Sequence, residues 1–142
     1  MRNVILPVTA GVLCHNKLSV QDLVPGDCVS GYDTYNRRVT MARIVSIEPL
    51  PPVPKIRVPL TRLMTVTLTA KTVILTPNGE RTLAQNVNRI TGYCYKNPKN
   101  LLVREVDAIM ECKETVEVVR LTWDEPDYIW TDGILVGAKW TS

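Results

Sequence analysis

A chain of 142 residues suits one domain, residues 1–142. At that length it buries roughly two-thirds of its unfolded surface and needs no disulfide or metal staple. A composition of 45% hydrophobic and 22% charged residues is that of an ordinary globular protein. A net charge of +3, with basic residues scattered rather than in runs, is too mild to argue for nucleic acid.

The opening stretch, "MRNVILPVTAGVLC", is mildly apolar with one arginine, and Pro7 interrupts it. It reads as the start of the fold rather than a signal peptide. No apolar stretch reaches the length of a membrane span. The expected location is therefore cytoplasmic or within a virion, with no membrane partner. "SVQDLV" then predicts a short helix, with Ser19 as N-cap and Asp22 three residues on. Pro25-Gly26-Asp27 predicts a turn.

From there the pattern is β almost throughout. "RRVTMARIVSIEPL" is rich in β-branched residues, whose stiff χ1 suits a pleated surface. Residues 49–59, "PLPPVPKIRVP", hold five of the ten prolines and predict a stiff connection, since proline cannot donate to a ladder. "RLMTVTLTAKTVILTP" alternates with period two, one face apolar and one rich in threonine. Pro77-Asn78-Gly79 predicts a turn, and "RTLAQNVN" a second short helix capped by Thr82. "LLVREVDAIMEC" and "TVEVVRLTW" predict two more strands, after a turn at Asn97-Pro98. "DYIWTDGILVGAKW" predicts a closing hairpin, because Asp132-Gly133 supplies the two positive-φ positions of a type I′ turn. The fold class is all-β, one domain of twisted, wrapped strands and hairpins with one or two short helices.

Candidate chemistry is sparse. Cys14, Cys28, Cys94 and Cys112 form no CxxC pair, and His15 is the only histidine. The thiols are expected to be reduced and mostly buried, with no metal and no cofactor. Cys14 with His15, and Asp124 with Glu125, are the only pairs resembling catalytic sets, but neighbours on a strand point to opposite faces. Aromatic and arginine residues are the usual interface anchors. They gather at Tyr32, Tyr35, Arg37 and Arg38, at Tyr93 and Tyr95, and at Tyr128 and Trp140. Trp123 and Trp130 are expected in the core. Arg37, Arg38, Arg43, Lys55, Arg57 and Arg62 also form a basic stretch that could hold a single strand of nucleic acid.

The order of the pieces resembles the Hint domains of hedgehog autoprocessing proteins and inteins. "LSVQDLVPGDCVSGYD", residues 18–33, is similar to that family's early segment I-x-D-L-x-x-G-D-x-V, through Val20, Asp22, Leu23, Gly26, Asp27 and Val29. "VTLTAKTVILTPNGERTLAQNV", residues 66–87, resembles the central block, in which a strand runs into Thr-x-x-His, a glycine turn and A-x-x-L. "TVEVVRLTWDEPDYIWTDGILV", residues 115–136, resembles the closing pair: a V-Y-D-L strand, an aromatic residue, then D-G-I-L-V and His-Asn.

The resemblance implies a Hint fold and, in the family, peptide cleavage by a first-position Cys or Ser. A central histidine assists, and in inteins a terminal asparagine cyclises. The sequence departs from this at each step. The nucleophile is expected near residues 3–6, "NVIL", with little before it to cut off. Cys14 stands too close to Val20 to serve. The central histidine is absent, with Asn78-Gly79 directly after Thr76-Pro77, and Gly137-Ala138 replace His-Asn, with six residues after Val136. Such groups act as a unit, so no catalytic residue is expected. The reading is a structural or interaction module with protein partners, such as a phage virion component. The alternative is a nucleic-acid-binding β domain, and a self-cleaving protein ranks below both.

Overall fold

The computed structural model describes residues 1–61, 64–75, 81–86, 89–93, 101–105 and 109–137. The chain opens with β1 (Arg2–Pro7), β2 (Gly11–Cys14), β3 (Lys17–Ser19) and a single 3-10 turn (Val20–Asp22). β4 (Cys28–Asp33), the long β5 (Arg38–Thr61) and β6 (Met64–Leu68) follow. Next come β7 (Val73–Leu75), β8 (Arg81–Leu83), a second 3-10 turn (Ala84–Asn86), β9 (Arg89–Tyr93) and β10 (Leu101–Glu105). β11 (Met110–Trp123), β12 (Tyr128–Thr131) and β13 (Ile134–Gly137) close the described chain.

These strands make one curled antiparallel sheet with the path β1-β11-β5-β4-β12-β13-β7-β8. Its spine is β5 against β11, paired from Ile44↔Trp123 to Arg57↔Met110 with bulges that let both strands bend. β5 leaves one partner for another as it goes: residues 38–43 pair with β4, and residues from Ile56 onward pair with β6. The sheet thus folds over itself, and the inward side chains of both halves meet in one cluster. Leu6, Ile44, Leu68, Leu121, Trp123, Ile129 and Ile134 are fully buried there. Each such side chain contributes about 1.5–3 kcal/mol from burial.

The proline-rich segment is part of a strand, contrary to the sequence expectation of a connection. Pro49 pairs with Val119 and Pro54 with Thr115, while Pro51 and Pro52 fall in the bulge between Leu50↔Val118 and Val53↔Val116. Pro59 pairs with Thr65 of β6, beyond the reach of β11. Each proline therefore sits where β5 has a single neighbour or is bulged, the places a strand tolerates a missing donor.

Both predicted helices shrink. The first is the 3-10 turn at Val20–Asp22, where Ser19 makes no backbone cap and instead donates its hydroxyl to the Asp22 carboxylate at 3.0 Å. The second begins at Ala84, and Thr82 lies in β8 opposite Ile74 rather than at a cap. Residues 110–123 form one strand, not two pieces.

The turn signals are accurate where they are described. Gly26 has φ +98° in the Val24–Asp27 turn, as the third position of a type II turn requires, and Asp27 N–H donates to Val24 O at 3.1 Å. The Asp27 carboxylate accepts from Val24 N–H at 2.8 Å and from Lys17 Nζ. The Lys17 hydrogen bond, first among the causes, holds Asp27 below the usual carboxylate range. Asp132 and Gly133 have φ +48° and +82°, joining β12 to β13 as a type I′ turn. The turns expected at 77–79 and 97–98 lie outside the described residues.

Every residue of β12 and of β13 is buried. Ile129, Ile134 and Val136 face the main core, while Trp130 and Leu135 pack in a second cluster with Leu75, Tyr32 and Tyr128. A hairpin covered on both faces is apolar at nearly every position, Thr131 being the polar exception, which is why it stands out in the sequence.

Candidate functional site

β1, the turn after β6 and the end of β13 converge. β6 buries Val66 and Leu68, and the chain then turns through Thr69, Ala70, Lys71 and Thr72 into β7. Backbone bonds fix that turn. Thr72 N–H donates to Thr69 O at 3.2 Å, Ala84 N–H to Thr72 O at 2.8 Å, and Gln85 N–H to Ala70 O at 3.1 Å. Thr69 and Thr72 are both buried, and their hydroxyls share a hydrogen bond at 2.7 Å. The Thr72 hydroxyl also faces the carbonyl of Ile5 at 3.5 Å, which ties the turn to β1. Gly137 pairs with Val73, so β13 ends beside the same turn. Between these elements lies a cavity of about 80 Å³, lined by Asn3, Ile5, Thr69, Lys71, Thr72 and Gly137 among others.

Among the described residues, the cavity lining holds no thiol, imidazole or carboxylate. Its two threonine hydroxyls are engaged with each other rather than with a base. A hydroxyl without a base is a weak nucleophile.

No family model matches the chain, and no curated protein matches it. Solved structures do. A DnaB intein from Synechocystis sp. PCC 6803 superposes with a TM-score of 0.80 at 17% identity, covering 95% of this chain and 98% of that one. The DnaX mini intein from Spirulina platensis gives 0.76 at 15% identity over 94% and 98% of the two chains. A bacterial intein-like domain from Clostridium thermocellum gives 0.74 at 12% identity over 98% and 99%.

The chain has the Hint fold of the inteins.

Thr69 and Thr72, at the two ends of the turn after β6, have the spacing of Thr-x-x-His. The stretch from Thr76 to Gly79, where the sequence reading set the missing histidine, lies outside the described residues. Asn3, Val4 and Ile5 of the window expected for a nucleophile line the same cavity as Thr72 and Gly137. In β11, Arg120 pairs with Glu48 at 2.9 Å and stands opposite Ile5 in the register.

The other predicted groups are scattered. Cys14 packs on the main core while His15 is exposed, so the pair diverges. Burial first, then the Asp27 carboxylate, raises the Cys14 thiol above its ordinary value. The cysteines are less buried than expected: Cys28 is exposed on the outer face of β4, and Cys14 and Cys112 are half-buried. All three are free thiols. Cys94 lies outside the described residues. Asp124 and Glu125 are exposed on the turn before β12, where the Asp124 carbonyl accepts from Arg2. Among the described residues, no group of His, Cys, Asp and Glu side chains is placed to hold a metal, and no helix is long and apolar enough to cross a membrane.

Of the expected interface residues, Tyr32 and Tyr128 face each other across β4 and β12 and are buried, at 6% and 4% exposure. That burial takes them off the surface, because β12 is covered on both faces. Tyr35 is 93% exposed, with Arg37 and Arg38 beside it. The loop that carries Tyr35 is ordered by Asp33, whose carboxylate accepts from Tyr35 N–H at 3.0 Å, Asn36 N–H at 3.2 Å and Asn36 Nδ2 at 2.7 Å. These bonds, the Asn36 side chain first, hold Asp33 below the usual carboxylate range. The Tyr93 side chain, Tyr95 and Trp140 lie outside the described residues. In the basic stretch, Arg37, Arg38, Arg43 and Arg57 are exposed, Lys55 is paired with Glu114 at 2.8 Å, and Arg62 lies outside the described residues.

Proposed function

We propose that this chain is a non-catalytic module on a Hint fold, serving as a structural or interaction component of a larger assembly such as a phage virion. One observation supports it above the rest. The three places where the family's chemistry would sit share one small cavity, and they hold Asn3 to Ile5, Thr72 and Gly137. The fold brings the right positions together with the wrong side chains. A tyrosine on an ordered loop with two arginines then offers the kind of anchor a protein partner uses, since little ordering entropy remains to be lost on binding.

The test is intact mass. The chain, carried between a folded fusion partner at each end, is incubated for days at neutral pH with and without a thiol. The expected result is a single unchanged mass. Appearance of a cleaved or spliced product would overturn the reading, and loss of that product in Cys14→Ala would point to the thiol as the nucleophile. Pull-down with wild type and with Tyr35→Ala tests the interaction half; a partner retained equally by both would remove Tyr35 from the interface.

Nucleic-acid binding is the second reading, favoured by the exposure of Arg37, Arg38 and Arg43 near Tyr35. It requires binding to a single strand that falls steeply as salt rises. No binding at low salt removes it.

A further inference from the structure

The tip of the β12–β13 hairpin is clamped to β2. Asp132 N–H donates to Gly11 O at 3.2 Å, and Gly11 N–H donates to Asp132 Oδ1 at 3.0 Å. The carboxylate approaches so closely that a Cβ on residue 11 would lie 2.5 Å from Oδ1. Beside the clamp is a cavity of about 290 Å³, larger than the one at Thr72 and sharing no residue with it. Val12, Leu13, Leu18 and Trp130 line it, and Asp132 is its single charged group. Leu13 and Leu18 stand at the surface, 38% and 83% exposed.

This arrangement is asymmetric in charge. Oδ1 of Asp132 is held by the backbone, and among the described residues no basic side chain lines the cavity to compensate the carboxylate. Burial raises Asp132 above the usual carboxylate range, the Gly11 bond acting against it. An apolar pocket with one half-buried anion suits a group that is aliphatic along its length and cationic at its tip. A lysine side chain has that form, burying its methylene stem while its ammonium meets a carboxylate.

We propose that this cavity receives a lysine side chain presented by a partner protein, its stem against Leu13, Leu18 and Trp130 and its ammonium on Asp132. The site deepens the interaction module proposed above by naming the chemistry of a partner. It stands on its own geometry, so it holds whether or not the chain cleaves itself.

The probe is N-acetyl-lysine methylamide, titrated at pH 7.5 into the full chain and followed by NMR. Saturable shifts of the Gly11, Leu18 and Asp132 amides and of the Trp130 indole N–H are expected. The neutral norleucine analogue should bind about tenfold more weakly, since a hydrogen bond to a charged group is lost. Asp132→Asn keeps an acceptor for Gly11 N–H, so the fold should persist while affinity drops by a similar factor. Leu18→Ala, at an exposed position that the fold does not need, should weaken binding about fivefold through lost apolar contact. Absence of saturable shifts, equal binding of lysine and norleucine probes, or unchanged binding by both variants overturns the proposal. Cleavage activity is not read in this experiment, so its failure and that of the non-catalytic reading are distinguishable.

Discussion

Thr72→Val, read with Thr69→Val in a double-mutant cycle, tests whether the buried hydroxyl pair beside the β1–β13 cavity is structural. The two oxygens are 2.7 Å apart, with residue exposures of 8% for Thr69 and 3% for Thr72. Valine is nearly the same size, so Thr72→Val removes a hydrogen bond without opening a cavity. It leaves the Thr69 hydroxyl buried without its partner, which costs about 1–3 kcal/mol. The Ile5 carbonyl at 3.5 Å adds little, being at the limit of a hydrogen bond. Thr69→Val should cost about the same. The double variant removes both polar groups and should lie within about 0.5 kcal/mol of wild type, because an apolar pair of the same shape is nearly neutral. The coupling, the two single losses together less that of the double variant, is then about 2–6 kcal/mol. In urea, with a slope of about 1.5 kcal/mol per molar, a loss of about 1.5 kcal/mol moves the midpoint of each single variant by about 1 M. Additive losses, with the double variant as unstable as the sum of the singles, would refute the reasoning. So would a change in intact mass on incubation that the single variants abolish.

Gly11→Ala should destabilise the fold by about 1.5–3 kcal/mol in thermal or urea unfolding, because its Cβ meets Asp132 Oδ1 at 2.5 Å and breaks the clamp. Gly31→Ala should cost about 1–3 kcal/mol, since the new Cβ meets the Pro126 ring at 2.8 Å and the Tyr128 carbonyl at 2.9 Å, in the middle of the sheet. Trp123→Ala, emptying a fully buried site, should cost about 3–5 kcal/mol and drop the melting temperature accordingly. The pH dependence follows from Asp27, whose carboxyl is held low in the fold chiefly by Lys17. Between its folded and unfolded values the unfolded state binds more protons, so this contribution is present above about pH 4 and is lost as pH falls through the folded value. Asp27→Asn should therefore flatten the acid side of the stability profile, and an unchanged acid limb would remove Asp27 from the account.

The sequence alone settles the elements whose chemistry is local. Period-two alternation placed β6 with Val66 and Leu68 inward, and Asp132-Gly133 named its own turn because only positive φ closes it. Pro25-Gly26 did the same. The Hint-like order of these pieces was also legible, since each motif depends on a few residues at fixed spacing. Tertiary structure decided the rest, because partners far apart in the chain set the outcome. Prolines 49 to 59 read as a linker until the pairing shows β5 with one neighbour or a bulge at each of them. Tyr32 and Tyr128 read as anchors until their strands are seen side by side under a second apolar layer. Nothing local marks Thr72, and only the approach of β1 and β13 shows it at the meeting point of three distant segments. Spacing fixes what a residue can do locally. What it does there depends on which surface the folded sheet lays against it.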